Sequence, residues 1–228
     1  MNSDADLWSK YNDKLEYRPT SLPESFLVRY LCSSRPVRFG HQYHFEGKTI
    51  LDAACGNGRN FNLLTCLGFR IAGFDLSKKQ IVNLRKFWPD ILLEVGDFLS
   101  IPFEEQKFDW VLCINSVYYV TNEKLFFEAM KNLSSKLKQH GRLFVSFMGE
   151  RHFALDTVEE YGENFDVIRV MSEYSQLKDE CLSVMVPKWG KNSINNLGIM
   201  IGKTVNFIGE YSDELNGLER HFYYAELA

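Results

Sequence analysis

Apolar and polar residues along this chain alternate between two rhythms. Short apolar runs cover residues 50–53, 70–74, 92–95, 109–114 and 142–148, with lengths that suit buried strands. Between them, apolar positions return every three or four residues. Phe61, Leu63, Leu64 and Leu67 share one helix face, and Phe126, Ala129, Met130, Leu133 and Leu137 share another. Gly68 reads as the left-handed residue that closes the first of these helices, and Gly141 as the end of the second. Ser77 with Gln80 forms a capping-box pattern before a helix that Pro89 stops just after Trp88. Ser21 with Glu24 repeats that pattern before a helix reaching about Cys32. Strands alternating with helices predict an α/β fold: a doubly wound, mostly parallel sheet with helices on both faces. Beyond Met148 the rhythm weakens. Residues 181–186, 205–208 and 221–226 alternate enough to be strands, and 193–201 reads as a short helix interrupted by Gly198.

Ligands of such sheets bind beyond the carboxyl ends of the strands, so the residues that follow each run carry the chemistry. The first run continues as Asp52-Ala53-Ala54-Cys55-Gly56-Asn57-Gly58-Arg59-Asn60. Two glycines let the backbone approach a nucleotide-like ligand, because no Cβ stands in the way. A carboxylate at Asp52 suits a cationic ligand better than a pyrophosphate. The second run ends in Asp75-Leu76, where an acid grips ribose hydroxyls in a nucleotide-binding βαβ unit. The third ends in Gly96-Asp97-Phe98, where a carboxylate and a ring meet the edge and face of an adenine. A nicotinamide dinucleotide site, and hence a dehydrogenase, is the competing reading. It needs a third glycine three residues after Gly58, and Phe61 stands there.

These residues resemble the class I S-adenosylmethionine-dependent methyltransferases. The family's acidic-x-Gly-x-Gly-x-Gly motif matches Asp52, Ala54, Gly56 and Gly58, with Ala54 in place of the first glycine. The resemblance covers residues 48–148 well and the C-terminal part loosely. It implies a Rossmann-like sheet with an antiparallel C-terminal hairpin whose last strand lies beside the fifth. It also implies one domain over 1–228: an N-terminal lid and first helix (1–35), a cofactor core (48–148), an acceptor-side insertion (149–200) and the hairpin (201–228). S-adenosyl-L-methionine is the implied cofactor and S-adenosyl-L-homocysteine the product. Asp52 and the Gly56–Gly58 turn would lie along the methionine part, with Asp75 on the ribose and Asp97 on the adenine amino group. Asn57, Asn60, Leu76, Gly96, Phe98, Ile114 and Asn115 complete the expected set, with Trp8, Tyr11 and Arg18 closing over it from the N-terminal segment.

On the acceptor side, Tyr118 and Tyr119 follow the fourth strand, beside the implied position of the reacting methyl. Tyr161, Tyr174 and Trp189 are candidates to line the pocket. Arg151-His152 follows the fifth strand and Arg220-His221 opens the last one. An antiparallel pairing brings the two pairs together, where arginines suit an anionic group and a histidine can act as base. Tyr119, His152 and His221 are therefore the expected catalytic residues. The pattern Tyr17-Arg18-Pro19 with Leu22-Pro23, taken with the Arg-His pairs, resembles polysaccharide-tailoring methyltransferases. It implies O-methylation of a sugar, sugar nucleotide or phosphorylated metabolite by in-line displacement. A non-catalytic S-adenosylmethionine-binding scaffold or sensor is the alternative.

Composition narrows the setting. The 228 residues carry 26 basic and 30 acidic side chains, a formal charge of −4. No basic run interleaves with aromatics, so the expected partner is a small molecule and no nucleic acid. No apolar run approaches the roughly 20 residues that span a bilayer, and no secretory core opens the chain, so a cytoplasmic protein without membrane contact is expected. Five scattered cysteines without a Cys-x-x-Cys pair predict reduced thiols and no metal site. Oligomeric state is left open.

Overall fold

The computed structural model describes residues 22–32, 44–170, 182–215 and 218–228. In chain order the elements are α1 (Ser25–Cys32), β1 (Thr49–Ala53), α2 (Phe61–Cys66), β2 (Arg70–Asp75), α3 (Lys78–Phe87), β3 (Leu92–Val95) and β4 (Phe108–Cys113). A single 3₁₀ turn (Val117–Tyr119) leads to α4 (Glu123–Ser135) and β5 (Leu137–Met148). Then follow β6 (Leu155–Glu160), β7 (Phe165–Val170), β8 (Leu182–Pro187), α5 (Lys191–Met200), β9 (Val205–Leu215) and β10 (Leu218–Leu227).

Seven strands form one sheet in the order β3-β2-β1-β4-β5-β10-β9. β1 to β5 run parallel, while β10 pairs antiparallel with both β5 and β9. Chain order reverses between β1 and β4, the point at which ligands of such sheets bind. Period-two alternation sends neighbouring residues to opposite faces. Leu51, Ala53, Val111 and Cys113 face a core shared with α4, whose Phe126, Ala129, Met130 and Leu133 return at helical spacing. Ile50, Trp110, Leu112 and Phe144 face the other side, against Leu27, Tyr30 and Leu31 of α1.

Local signals held in several places. Ser77 Oγ accepts the Gln80 N–H, and α3 ends at Phe87 with Trp88 as its cap. Gly68 follows α2 with φ +84°. At the start of α1 the Glu24 side chain accepts the Leu27 N–H, while Ser21, the expected cap, lies outside the described residues.

Gly141 does not end a helix. α4 stops at Ser135, and β5 already begins at Leu137, opposite Phe108. The Lys136 carbonyl accepts the N–H groups of Lys107 and Phe108, which draws the chain onto the sheet before the apolar spacing is exhausted. Gly141 is needed for another reason: a Cβ there would lie 3.0–3.1 Å from the carbonyl oxygens of Lys138, Asp109 and Phe108. Gly141→Val is expected to cost about 1–3 kcal/mol, as overpacking does. Urea unfolding would report it as a lower midpoint at unchanged slope, and an unchanged midpoint would refute this account of the glycine.

The stretch after Met148 holds a second, antiparallel sheet in the order β6-β7-β8. Of its strands, only β8 had a readable pattern. β6 is acidic and largely exposed, and β7 is short and mixed. Phe165 of β7 packs against Phe126 and Phe147, so this sheet shares the core of the first. Gly198 lies in α5, where a Cβ would meet Val205 Cγ2 at 2.1 Å; close approach to β9 accounts for it.

Candidate active site

The turn after β1 is built on left-handed backbone: Ala54 has φ +57°, Gly56 +53° and Gly58 +71°. At Gly56 nothing among the described residues stands within 4 Å of where a Cβ would be, while at Gly58 one would meet Leu84 and Phe61 at 2.7–2.9 Å. The first of these glycines therefore faces open space, and the second lets α3 and α2 close beneath the turn.

Asp75 locks this turn to the neighbouring strand. Its Oδ2 accepts the Gly56 N–H at 2.8 Å and its Oδ1 the Ser77 N–H at 2.9 Å. Burial pushes its pKa up, and those backbone donors oppose the shift. Ala54, Gly56, Asp75 and Leu76 form one wall of a cavity of about 460 Å³. That volume falls in the range of small-molecule sites. Gly96, Asp97, Phe98 and Leu99 form a second wall, and Asn115, Ser116, Tyr119 and Leu125 a third. Asp97 is exposed, and its Oδ1 accepts the Leu99 and Ser100 N–H groups at 2.7 and 2.8 Å.

Asn115 sits at the end of β4 with φ +53°, matching Ala54 on the adjacent strand. Its backbone N–H donates to Ser146 Oγ at 2.8 Å, and that hydroxyl donates to Asn115 Oδ1 at 3.1 Å. Ser146 is completely buried. Turning the amide over would leave its hydroxyl proton without this acceptor, so the Asn115 NH₂ group is the end left to meet a ligand. Nothing in the local sequence around Ser146 signals this role; it arises from the pairing of β4 with β5.

Other expected residues lie elsewhere. Asp52 is 2% exposed and stands behind the cavity wall, not in it. Asn60 is buried and its side chain makes no cap bond to α2; its Oδ1 accepts the Glu24 N–H at 3.2 Å, and its side chain lies beside Asp52, whose ionised form it favours. Asn57, Gly58 and Ile114 are not among the described lining residues; Ile114 packs with the α1 side of the sheet. Trp8, Tyr11, Arg18 and Tyr174 lie outside the described residues.

Tyr119 lines the cavity, whereas Tyr118 is buried in the core, where desolvation pushes its phenol well above its usual range. Tyr161 and Trp189 are 76% and 60% exposed and flank the Lys188 ammonium, away from the cavity wall.

Arg151 and His221 do meet, since the Arg151 backbone N–H donates to His221 Nδ1 at 3.2 Å. The meeting point is not an anion site. His221 is completely buried, and its Nε2 bonds Glu210 at 2.9 Å, so both ring nitrogens are engaged. The Arg151 guanidinium pairs with Glu210 and, at 3.2 Å, with Glu219. His152 packs against Phe153 and Phe222, and its Nδ1 accepts the Ala154 N–H. Arg220 is half-buried, and none of the four lines the cavity. Antiparallel pairing brought Arg151 and His221 together as expected, but Glu210 pairs with both of them and Glu219 with Arg151. Among the described residues no metal-binding group of His, Cys, Asp and Glu occurs, and the four described cysteines are free thiols.

Residues 50–141 match the family model of a methyltransferase domain. Over 94 residues the chain is 36% identical to a putative 23S rRNA (guanine-N(1)-)-methyltransferase of Bacillus subtilis, covering 38% of this chain and 32% of that protein. Over 156 residues it is 28% identical to the tRNA U34 carboxymethyltransferase of Campylobacter curvus, covering 60% of this chain and 50% of that one. The chain thus spans about half or less of the length of these curated relatives. In fold it is similar to the 1,6-didemethyltoxoflavin-N1-methyltransferase of Burkholderia thailandensis, solved with 1,6-didemethyltoxoflavin and S-adenosylhomocysteine bound. The TM-score is 0.65 at 13% identity, over 98% of this chain and 85% of that one. The exclusion of nucleic acid is therefore corrected, because two relatives are named for rRNA and tRNA. Net charge sums over the whole surface and does not bear on one local contact face. No described helix is long and apolar enough to cross a membrane.

Proposed function

We propose, from the premise that this chain belongs to the class I S-adenosylmethionine-dependent methyltransferases, that it transfers a methyl group to a small, uncharged acceptor with an apolar or aromatic face. The carrying observation is the cavity of about 460 Å³, whose described lining holds Asp75 and Asp97 but no lysine, arginine or histidine. The residues fit the cofactor. Gly56 leaves open space where a side chain would intrude, and Asp75 is held rigidly beside it, with acceptor capacity left for ribose hydroxyls. Asp97 has a second oxygen free of the loop bonds, suited to an adenine amino group, with Leu76 and Phe98 for the ring faces.

When bound, S-adenosylmethionine supplies a methyl group already activated by its sulfonium. The chain's own work is alignment and exclusion of water, and good alignment is worth roughly 7–11 kcal/mol of barrier. Asn115, Tyr119 and Leu125 belong to the acceptor side in this reading, with the Asn115 NH₂ as the hydrogen-bond donor toward it. A sugar-phosphate acceptor has lost its support, since Arg151 is committed to Glu210 and Glu219. A nucleobase of RNA is the second reading, favoured by the two relatives named above.

Incubation of the full chain with S-adenosylmethionine and two panels, small heteroaromatic and phenolic acceptors and purified rRNA and tRNA, tests both. Acceptor-dependent release of S-adenosylhomocysteine from the first panel, reduced at least tenfold by Tyr119→Ala, is the expected result. Release with RNA alone would transfer the assignment to the second reading. Tight cofactor binding with no acceptor in either panel would favour a scaffold or sensor.

A further inference from the structure

Asp52 Oδ2 is buried and accepts no hydrogen bond from the described residues. The Asn60 side chain lies beside it and favours its ionised form, and the Asn60 Oδ1 is occupied by the Glu24 N–H at the start of α1. That bond fixes the Asn60 amide with its NH₂ toward Asp52, so α1 sets the position of the carboxyl group. No ion pair to Asp52 exists among the described residues. The groups facing it are Asp75 at the end of β2, Cys55 in the turn, Cys113 at the end of β4, and Arg59 and Asn60 ahead of α2. Asp75 adds like charge. Arg59 lowers the cost of ionisation only as a field, since it is exposed and its Nε donates to the Leu22 carbonyl.

A buried carboxylate with an unpaired oxygen is far more costly than the same group protonated. Ala54 and Gly56, which follow it, and Asp75 beside it all line the cavity. A cation brought there would reverse the balance across the thin wall of the turn, without direct contact.

We propose that Asp52 holds a proton in the free protein and releases it to solvent when the cationic end of the cofactor binds, with Asn60 as the residue that positions it. This rests on reading the cavity as an S-adenosylmethionine site. Only the Asp52 O–H bond breaks: the carboxyl becomes a carboxylate opposite the bound cation, and one proton leaves for the buffer. Burial, with Asp75 adding to it, pushes the Asp52 pKa up to about 7, which puts the exchange in an accessible range.

Calorimetric titration of the full chain tests this with two probes: S-adenosylhomocysteine, which carries an ammonium group, and adenosine, which carries no cation. At pH 6, in phosphate and in imidazole buffers, the homocysteine compound is expected to release close to one proton, and at pH 8 almost none. Its affinity should rise by up to about tenfold per pH unit between pH 5 and 7, then level off. Adenosine should show neither effect. Asp52→Asn should abolish the release, and Asn60→Ala should move its midpoint to higher pH, a shift that loss of packing alone does not produce. Buffer-independent heats at pH 6 with the homocysteine compound bound would overturn the proposal while leaving the cofactor site standing. Failure of both probes to bind would remove the cofactor reading, and the proposal with it.

Discussion

Asp75→Ala is expected to abolish useful cofactor binding, lowering affinity for S-adenosylhomocysteine by roughly 10²–10³-fold. Three losses combine. The Gly56 N–H and the Ser77 N–H lose their acceptor, and each donor left unsatisfied costs about 1–3 kcal/mol. The ligand's hydroxyls lose a charge-assisted partner, worth about 1.5–3 kcal/mol. Part of the cost falls on the free protein, so its thermal midpoint should drop as well. Asp75→Asn keeps one acceptor oxygen and should be intermediate. Asp97→Ala should be milder, because Asp97 is exposed and its protein bonds stay within its own loop. An Asp75→Ala affinity within threefold of the parent would show that this carboxylate is structural and not a ligand group.

Asp52→Asn is expected to stabilise the free protein at pH 8 while weakening its hold on the cofactor. The sign follows from linkage. An acid whose pKa rises from 3.8 when unfolded to about 7 when folded binds more protons in the folded state between those values. Its contribution is therefore most favourable below about pH 4, is lost as pH rises toward 7, and stays lost above. The difference is on the order of 4 kcal/mol at full expression. Asp75 is shifted in the same direction. Asp109 runs the other way: burial opposes, but Lys138 and Thr49 hold its carboxyl well below the usual range, so its stabilisation fades in acid. Subtracting the urea-unfolding profile of Asp52→Asn from that of the parent isolates the one group. The difference should be small near pH 4 and should favour the variant increasingly up to about pH 7. A flat difference would mean that Asp52 is not buried uncharged.

Some of the site was readable because its causes are local. A strand end, two glycines and a helix start lie within eleven consecutive residues, and the turn they make depends on backbone freedom that the residue types declare. Asp75 and Asp97 were readable for the same reason, each following a short apolar run directly. The 3₁₀ turn was not, and so Tyr118 and Tyr119 were both expected beside the acceptor, whereas one lies in the core and the other on the cavity wall. The Arg-His pairs failed differently. The approach of Arg151 to His221 was legible from strand pairing, but Glu210 and Glu219, which pair with them, lie on the two strands of a hairpin whose register the sequence does not declare.

By itself, the sequence determined the order of strands and helices, the glycine turn and the acids that follow β2 and β3, because those depend on contacts a few residues apart. Tertiary structure alone decided which groups are solvated and which are paired. It put Ser146 under Asn115, tied Asn60 to Glu24, left Asp52 buried with an oxygen unpaired among the described residues, and closed His221 away behind a glutamate. Those outcomes depend on atoms between 11 and 36 positions apart in the chain, and no local pattern fixes how the burial of one charge is compensated by another that far away.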